Sequence, residues 1–144
     1  MKADMRTRLL DVAQRLVQES GHHGFSFHDL SREVGIRTAS IHYHFPTKTD
    51  LAVSLVRRNR QAIGRAMSGI AAQRESLAER LDATIRLYTD TLKDGSRICV
   101  CAALAGDYSS LPPEVQRELK ELIVDGERWL DRFLSEGRDR KSVV

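Results

Sequence analysis

The run Val34-Gly35-Ile36-Arg37-Thr38-Ala39-Ser40-Ile41-His42-Tyr43-His44-Phe45-Pro46-Thr47-Lys48 contains two helix stops with one short helix between them. Gly35 suits the left-handed residue that ends a helix, because it has no Cβ to clash there. Pro46 pushes Phe45 out of the α region, closing a helix that Arg37 or Thr38 opens and that runs to about His44. Upstream, Ser26 stands three residues before Asp29, a capping-box-like start with the shorter acid. That predicts a second short helix over about Phe27 to Val34.

Outward from this pair the pattern stays helical. Leu9, Val12, Ala13, Leu16 and Val17 recur at i, i+3, i+4, i+7 and i+8, one face of a helix from about Asp4 to Ser20 that Gly21 and Gly24 stop. After the Phe45-Pro46-Thr47-Lys48 turn, Leu51, Leu55, Val56, Ile63, Met67 and Ile70 predict a long helix. Leu77, Leu81, Ile85 or Thr84, Tyr88 and Leu92 form the next stripe. An almost uncharged segment spans Ile98 to Tyr108, and its small-residue-rich part, Ile98 to Gly106, is expected to be buried between neighbours. Leu111-Pro112-Pro113 opens the last helix, with proline well placed in a first turn. Its stripe is Val115, Leu119, Leu122, Ile123, Trp129, Leu130 and Phe133, and Gly137 with the basic tail Arg138 to Lys141 is expected to end it. No strand alternation or repeat appears, so the fold class reads all-α.

Composition bounds the function. The 144 residues are 41% hydrophobic and 30% charged, an ordinary globular balance that argues against disorder. The longest apolar run, Ile98 to Gly106, is nine residues, well short of the roughly 18 a membrane span needs. The N-terminus mixes charge with apolar residues, unlike a signal peptide, so a cytoplasmic protein is expected. Two cysteines two residues apart make no disulfide framework, in keeping with a reducing compartment. The net charge of +3 is uneven. Residues 1–72 carry 11 Lys and Arg against 6 Asp and Glu, residues 73–144 carry 12 against 14, and all five histidines lie in the first half. A polyanion would therefore bind at the front.

Two short helices around a tight glycine-containing turn have the spacing of a helix-turn-helix, whose second helix enters the major groove of DNA. Leu30, Val34, Ile36 and Ile41 would hold the pair together. Arg37, Thr38, Ser40, His42, Tyr43 and His44 are left as polar groups around the second of the two, where small or hydrogen-bonding side chains can read bases and reach phosphates.

From Arg8 to about Leu55 the sequence closely resembles the N-terminal domain of the TetR family of bacterial transcriptional regulators. The resemblance rests on Gly24-Phe25, Leu30, Gly35-Ile36 and the run Thr38 to Lys48 with Leu51, above all on His44-Phe45-Pro46-x-Lys48-x-x-Leu51. It implies an N-terminal three-helix helix-turn-helix domain over residues 1–50, joined by a long fourth helix to a helical ligand-binding and dimerisation domain over residues 51–144. It further implies a homodimer on a palindromic operator in double-stranded DNA, most often a repressor, released by a small-molecule effector and needing no cofactor. Carried over by position, Thr38, Ala39 and Ser40 become neighbours of base edges or phosphates, Tyr43 and His44 phosphate contacts, and Lys48 an anchor. Arg37 joins this set, and Ser26 would meet a phosphate at a helix N-terminus. His42 departs from the tyrosine more usual there and is the shorter donor. For Tyr43 a core role, for His44 a capping role, and for Arg37 and Lys48 a plain solvated role stay open.

The second half varies freely in such proteins. Tyr88, Tyr108 and Trp129 are candidates for an apolar ligand cavity with polar tips, and Cys99 for a ligand-facing thiol. Cys99 and Cys101 are separated by about 200° on a helix, so their thiols are expected to face opposite sides, with no shared metal ion and no bond between them. A reactive thiol would need a basic neighbour such as Arg97. No phosphate loop, nucleophile elbow or metal-spaced cluster is present, which argues against an enzyme. Family members usually continue into two further long helices that build the dimer, so the regulatory domain is expected to be shortened and to self-associate through its sixth and seventh helices. The alternative is a truncated interaction module that pairs with a full-length relative rather than binding operators itself.

Overall fold

A computed structural model describes residues 4–74, 76–92 and 98–139. Arg97 and the end of the basic tail lie outside the described residues. The order of helices is α1 (Met5–Ser20), α2 (Phe27–Val34), α3 (Thr38–His44), α4 (Lys48–Gln73), α5 (Leu77–Thr89), α6 (Val100–Gly106) and α7 (Pro113–Asp139), with single 3₁₀ turns at Asp90–Leu92 and Tyr108–Ser110. The described residues contain no strand, and none of their helices is long and apolar enough to cross a membrane.

Local chemistry sets most boundaries. Asp4 accepts from the Thr7 N–H at 2.7 Å to start α1. Ser26 with Asp29, Thr47 with Asp50 and Ser76 with Glu79 form full capping boxes at the starts of α2, α4 and α5. Each satisfies two backbone donors that a helix start would otherwise leave unpaired. Gly35 ends α2 at φ 77°, ψ 34°, the left-handed region that favours glycine. Arg37 precedes α3 without a side-chain cap.

One boundary differs from expectation. Gly137 lies inside α7 instead of ending it. A Cβ there would stand 3.0 Å from Leu77 Cδ2 and 3.2 Å from Leu77 Cβ, so the glycine lets α7 run close against the start of α5. Its role is a close approach between helices, which spacing along the chain does not reveal.

The main core gathers Leu9, Ala13 and Val17 of α1, Leu30 and Val34 of α2, Ile41 of α3, Phe45, and Leu51, Leu55 and Val56 of α4, all buried. Val100, Cys101 and Leu104 of α6 join it, as do Leu111, Val115 and Leu119 around the start of α7. α4 packs on α1, α5, α6 and α7, and so connects the N-terminal helices to the rest. Beyond it, the packing differs from the sequence expectation. Ile85, Tyr88, Leu92, Ile123 and Leu130 belong to the predicted stripes yet lie exposed, as does Ile98 at the start of the supposedly buried segment.

Candidate nucleic-acid interface and cavity

α3 divides sharply by face. Ile41 and the following Phe45 are fully buried, whereas Tyr43 is 85% exposed. Burying these two residues in the main core contributes roughly 1.5–3 kcal/mol each, and that fixes the remaining face of the short helix outward. Arg37, Ala39, Ser40, His42 and Tyr43 are exposed on and beside it, with Thr38 and His44 half-buried at its edges. A core role for Tyr43 is thereby removed; its ring stands edge-on to His44 at 5.2 Å. His42 is oriented by a 3.0 Å contact between Nδ1 and the Pro46 carbonyl, and by the Phe27 ring at 5.0 Å. Between Glu33 and Asp50 the chain carries Arg37 and Lys48 but no carboxylate. The exposed face is thus polar, free of negative charge, and held by a buried pair of anchors.

Two expected residues are engaged elsewhere. Ser26 spends its hydroxyl on α2's capping box, accepting from the Asp29 N–H at 3.2 Å and donating to Asp29 Oδ2 at 3.0 Å. Lys48 turns inward: its ammonium donates to the Phe25 carbonyl and stands 4.3 Å from the centre of the Phe25 ring. Burial lowers its pKa, opposed by the Asp29 carboxylate. Lys48 therefore ties the start of α4 to the α1–α2 loop instead of reaching outward. Its partner lies 23 residues upstream, a distance at which no short motif reports direction.

The same loop meets α6. The His22 backbone N–H donates to Asp107 Oδ2 at 3.3 Å, and His23 Nε2 lies 3.0 Å from Ser110 Oγ. His22 is buried, and burial, then the charges of Lys48 and His23, lower its pKa to about 4 against the pull of Asp107.

A cavity of about 190 Å³ opens between α4, α5 and α7. Its wall is mostly apolar, with Met67, Leu81, Tyr88, Trp129 and Phe133, and Arg60 and Asp125 at its polar edge. Of the four expected ligand residues, Tyr88 and Trp129 are on this wall, while Cys99 and Tyr108 are not. Tyr108 packs against the main core, where its buried hydroxyl has no hydrogen-bond partner. Arg60 was not anticipated from sequence. It bonds Asp125 at 2.8 Å and 3.0 Å and Glu118 at 3.0 Å across the α4–α7 seam, partners 58 and 65 residues away. Behind the cavity, Arg80 is buried and donates to the Ala71 and Arg74 carbonyls at the end of α4, and to Glu136 of α7.

The thiol geometry also overturns an expectation. Cys99 has φ −52°, ψ 140° and lies before the first turn of α6, so helical rotation does not separate it from Cys101. Both sulfurs accept from Asn59 Nδ2 of α4, at 3.6 Å for Cys99 and 3.1 Å for Cys101. The neighbouring Cys101 thiol, aided by backbone N–H groups of Cys101 and Ala102, lowers the Cys99 pKa despite burial. Cys99 and burial in turn push the Cys101 thiol well up. The Tyr88 phenol pKa is raised by burial and then by the charges of both sulfurs.

Comparison with known proteins agrees with this arrangement. Residues 9–55 match the profile of the bacterial regulatory proteins of the tetR family. A TetR-family transcriptional regulator from Agrobacterium tumefaciens is 33% identical, with a TM-score of 0.88 over 94% of this chain and 72% of that one. A TetR transcriptional regulator from Legionella pneumophila is 32% identical, with a TM-score of 0.86 over 93% of this chain and 73% of that one. No curated protein matches significantly.

Proposed function

The chain belongs to the TetR family, whose members are DNA-binding transcription regulators, and from that membership we propose that it is a repressor that holds a palindromic operator as a homodimer in the cytoplasm. In this reading residues 1–50 bind DNA and residues 51–144 carry the effector and dimer surfaces. The observation that supports it most directly is the division of α3, with Ile41 and Phe45 buried and Tyr43 with its polar neighbours outward. A groove-reading helix needs that rigidity behind and that chemistry in front. Thr38, Ala39, Ser40 and His42 are assigned to base edges, and Arg37, Tyr43 and His44 to phosphates. Ser26 retains a role only through the α2 start that it caps, and Lys48 as a positioning residue for that loop.

Release is assigned to an uncharged, largely apolar effector entering the cavity between α4, α5 and α7. Tyr88 and Trp129 would stack or pack on it. An occupant there pushes on α4, which also contacts α1, so cavity filling and head orientation share one helix. Self-association is assigned to the exposed apolar row of α7, Ile123, Leu130 and Leu134.

Selection of a random duplex library at physiological salt tests the reading, since salt sets the non-specific background. An enriched palindrome is expected, and Tyr43→Ala is expected to weaken binding about tenfold while leaving the melting temperature unchanged. Weak, salt-sensitive binding with no enriched site would replace this reading with the interaction module that pairs with a relative.

A further inference from the structure

We propose that Cys99 and Cys101 form a dithiol modification site, with Cys99 as nucleophile and Cys101 as resolving thiol, which a hydroperoxide oxidises to an intrachain disulfide. The geometry of three side chains carries this. Asn59 Nδ2 donates to both sulfurs, so the two stand on one side of the α6 start, within reach of a single amide nitrogen. Cys101 thereby lies beside Cys99 as its neighbouring thiol, two residues along the chain and on the same amide donor. Exposure separates the roles, because Cys99 is half-buried whereas Cys101 is buried in the main core. A small oxidant reaches Cys99 first, and the thiol that can answer it shares the same amide donor. Hydrogen bonds to Cys99 also lower its pKa, which favours the thiolate, the reactive form.

The chemistry balances with the hydroperoxide as the named oxidant. Cys99 thiolate attacks one peroxide oxygen; an S–O bond forms, the O–O bond breaks, and the leaving oxyanion takes a proton from water. Cys99 is then a sulfenic acid. Cys101 sulfur attacks Cys99 Sγ, the S–O bond breaks, and hydroxide leaves as water with the Cys101 proton. The two thiols give up two electrons, and the peroxide takes them.

The position gives the reaction a consequence. Val100, Cys101 and Leu104 seat α6 in the main core, and Gln18 of α1 donates to the Ile98 carbonyl at 2.7 Å. A disulfide brings the sulfurs to about 2.05 Å and its own dihedral, which withdraws them from Asn59 and moves the start of α6 against α1 and α4. Oxidation thus acts where the regulatory helices touch the head.

Peptide mass mapping of the full-length reduced chain tests the site. Limiting iodoacetamide is expected to label Cys99 at least about tenfold over Cys101. Hydrogen peroxide is expected to remove two hydrogen masses from the monomeric chain by linking the two cysteines. Cys99→Ser should abolish the reaction, and Cys101→Ser should accumulate a dimedone-trapped sulfenic acid at Cys99. Equal labelling of the two thiols, first oxidation at Cys101, or disulfides formed only between chains would each overturn the proposal. The wild-type map decides the order without either variant, so a variant that fails to fold leaves the test intact. Its readout is covalent and involves no DNA, so it stands or fails separately from the regulator reading.

Discussion

The head formed by α1, α2, α3 and the first half of α4 sits in a closed core shared with α6 and the start of α7, whereas α5 and the rest of α7 leave apolar side chains open. Leu9, Leu30, Ile41, Phe45 and Leu51 are almost wholly inaccessible, while Ile85 is 60% and Ile123 is 62% exposed. Both regions have apolar residues at helical spacing. In the head three short helices and a long one cross, so each apolar stripe finds another. In the outer layer the stripes are wider than the seams available, and a cavity and an open row remain. The difference teaches that periodicity marks which side of a helix is apolar but not what covers it.

The comparison is broken most directly by truncation. Phe45→Ala is expected to cost about 4 kcal/mol and Ile123→Ala no more than about 0.5 kcal/mol in urea unfolding, since only the first leaves a cavity. Comparable losses would mean that α7's open row is covered in solution. Arg80→Ala should cost about 3 kcal/mol in the same assay, because it leaves the Ala71 and Arg74 carbonyls without their buried donor.

Acid should act on the head–α6 junction. The unfolded chain takes a proton on His22 near pH 6.5, the folded chain only near about 4. Native stability therefore falls as pH drops through that window and is fully recovered above it, by at most about 3 kcal/mol. Thermal melting between those pH values should be flatter in His22→Asn. An unchanged slope would remove His22 from that junction's energetics.

The smallest contrast lies within α7. A Cβ on Gly126 meets nothing within 4 Å, whereas one on Gly137 meets Leu77. Gly126→Ala should gain about 1 kcal/mol from helix propensity, and at Gly137 crowding against Leu77 should cancel that gain. Equal stabilisation would show that α5 and α7 separate freely.

The candidate interface was largely legible from residues 26–48, because caps, glycine and proline act on their immediate neighbours. Ser26, Asp29, Gly35 and Pro46 placed α2 and α3 closely, whereas Tyr43, for which a core role stayed open, was placed outside only by the burial of Ile41 and Phe45. The direction of Lys48, expected as an anchor, was not legible for the converse reason: it depends on Phe25, which the fold brings back from the end of the first loop. Cys99 and Cys101 were misread because an assumed helix began one residue too early. A single extended residue changed opposite faces into one shared hydrogen-bond donor.

What the sequence by itself determined is the set of helices, the helix-turn-helix and the polarity of its outer face. These depend on backbone preferences and contacts within about one helical turn. Only the tertiary structure decided where α7 could pass through Gly137, which aromatic residues line the cavity, and which way Lys48 and the thiols point. It also decided the pairing of Arg60 with Glu118 and Asp125 and the burial of Arg80. Those outcomes depend on side chains from distant positions competing for one volume, and close packing admits few arrangements of them.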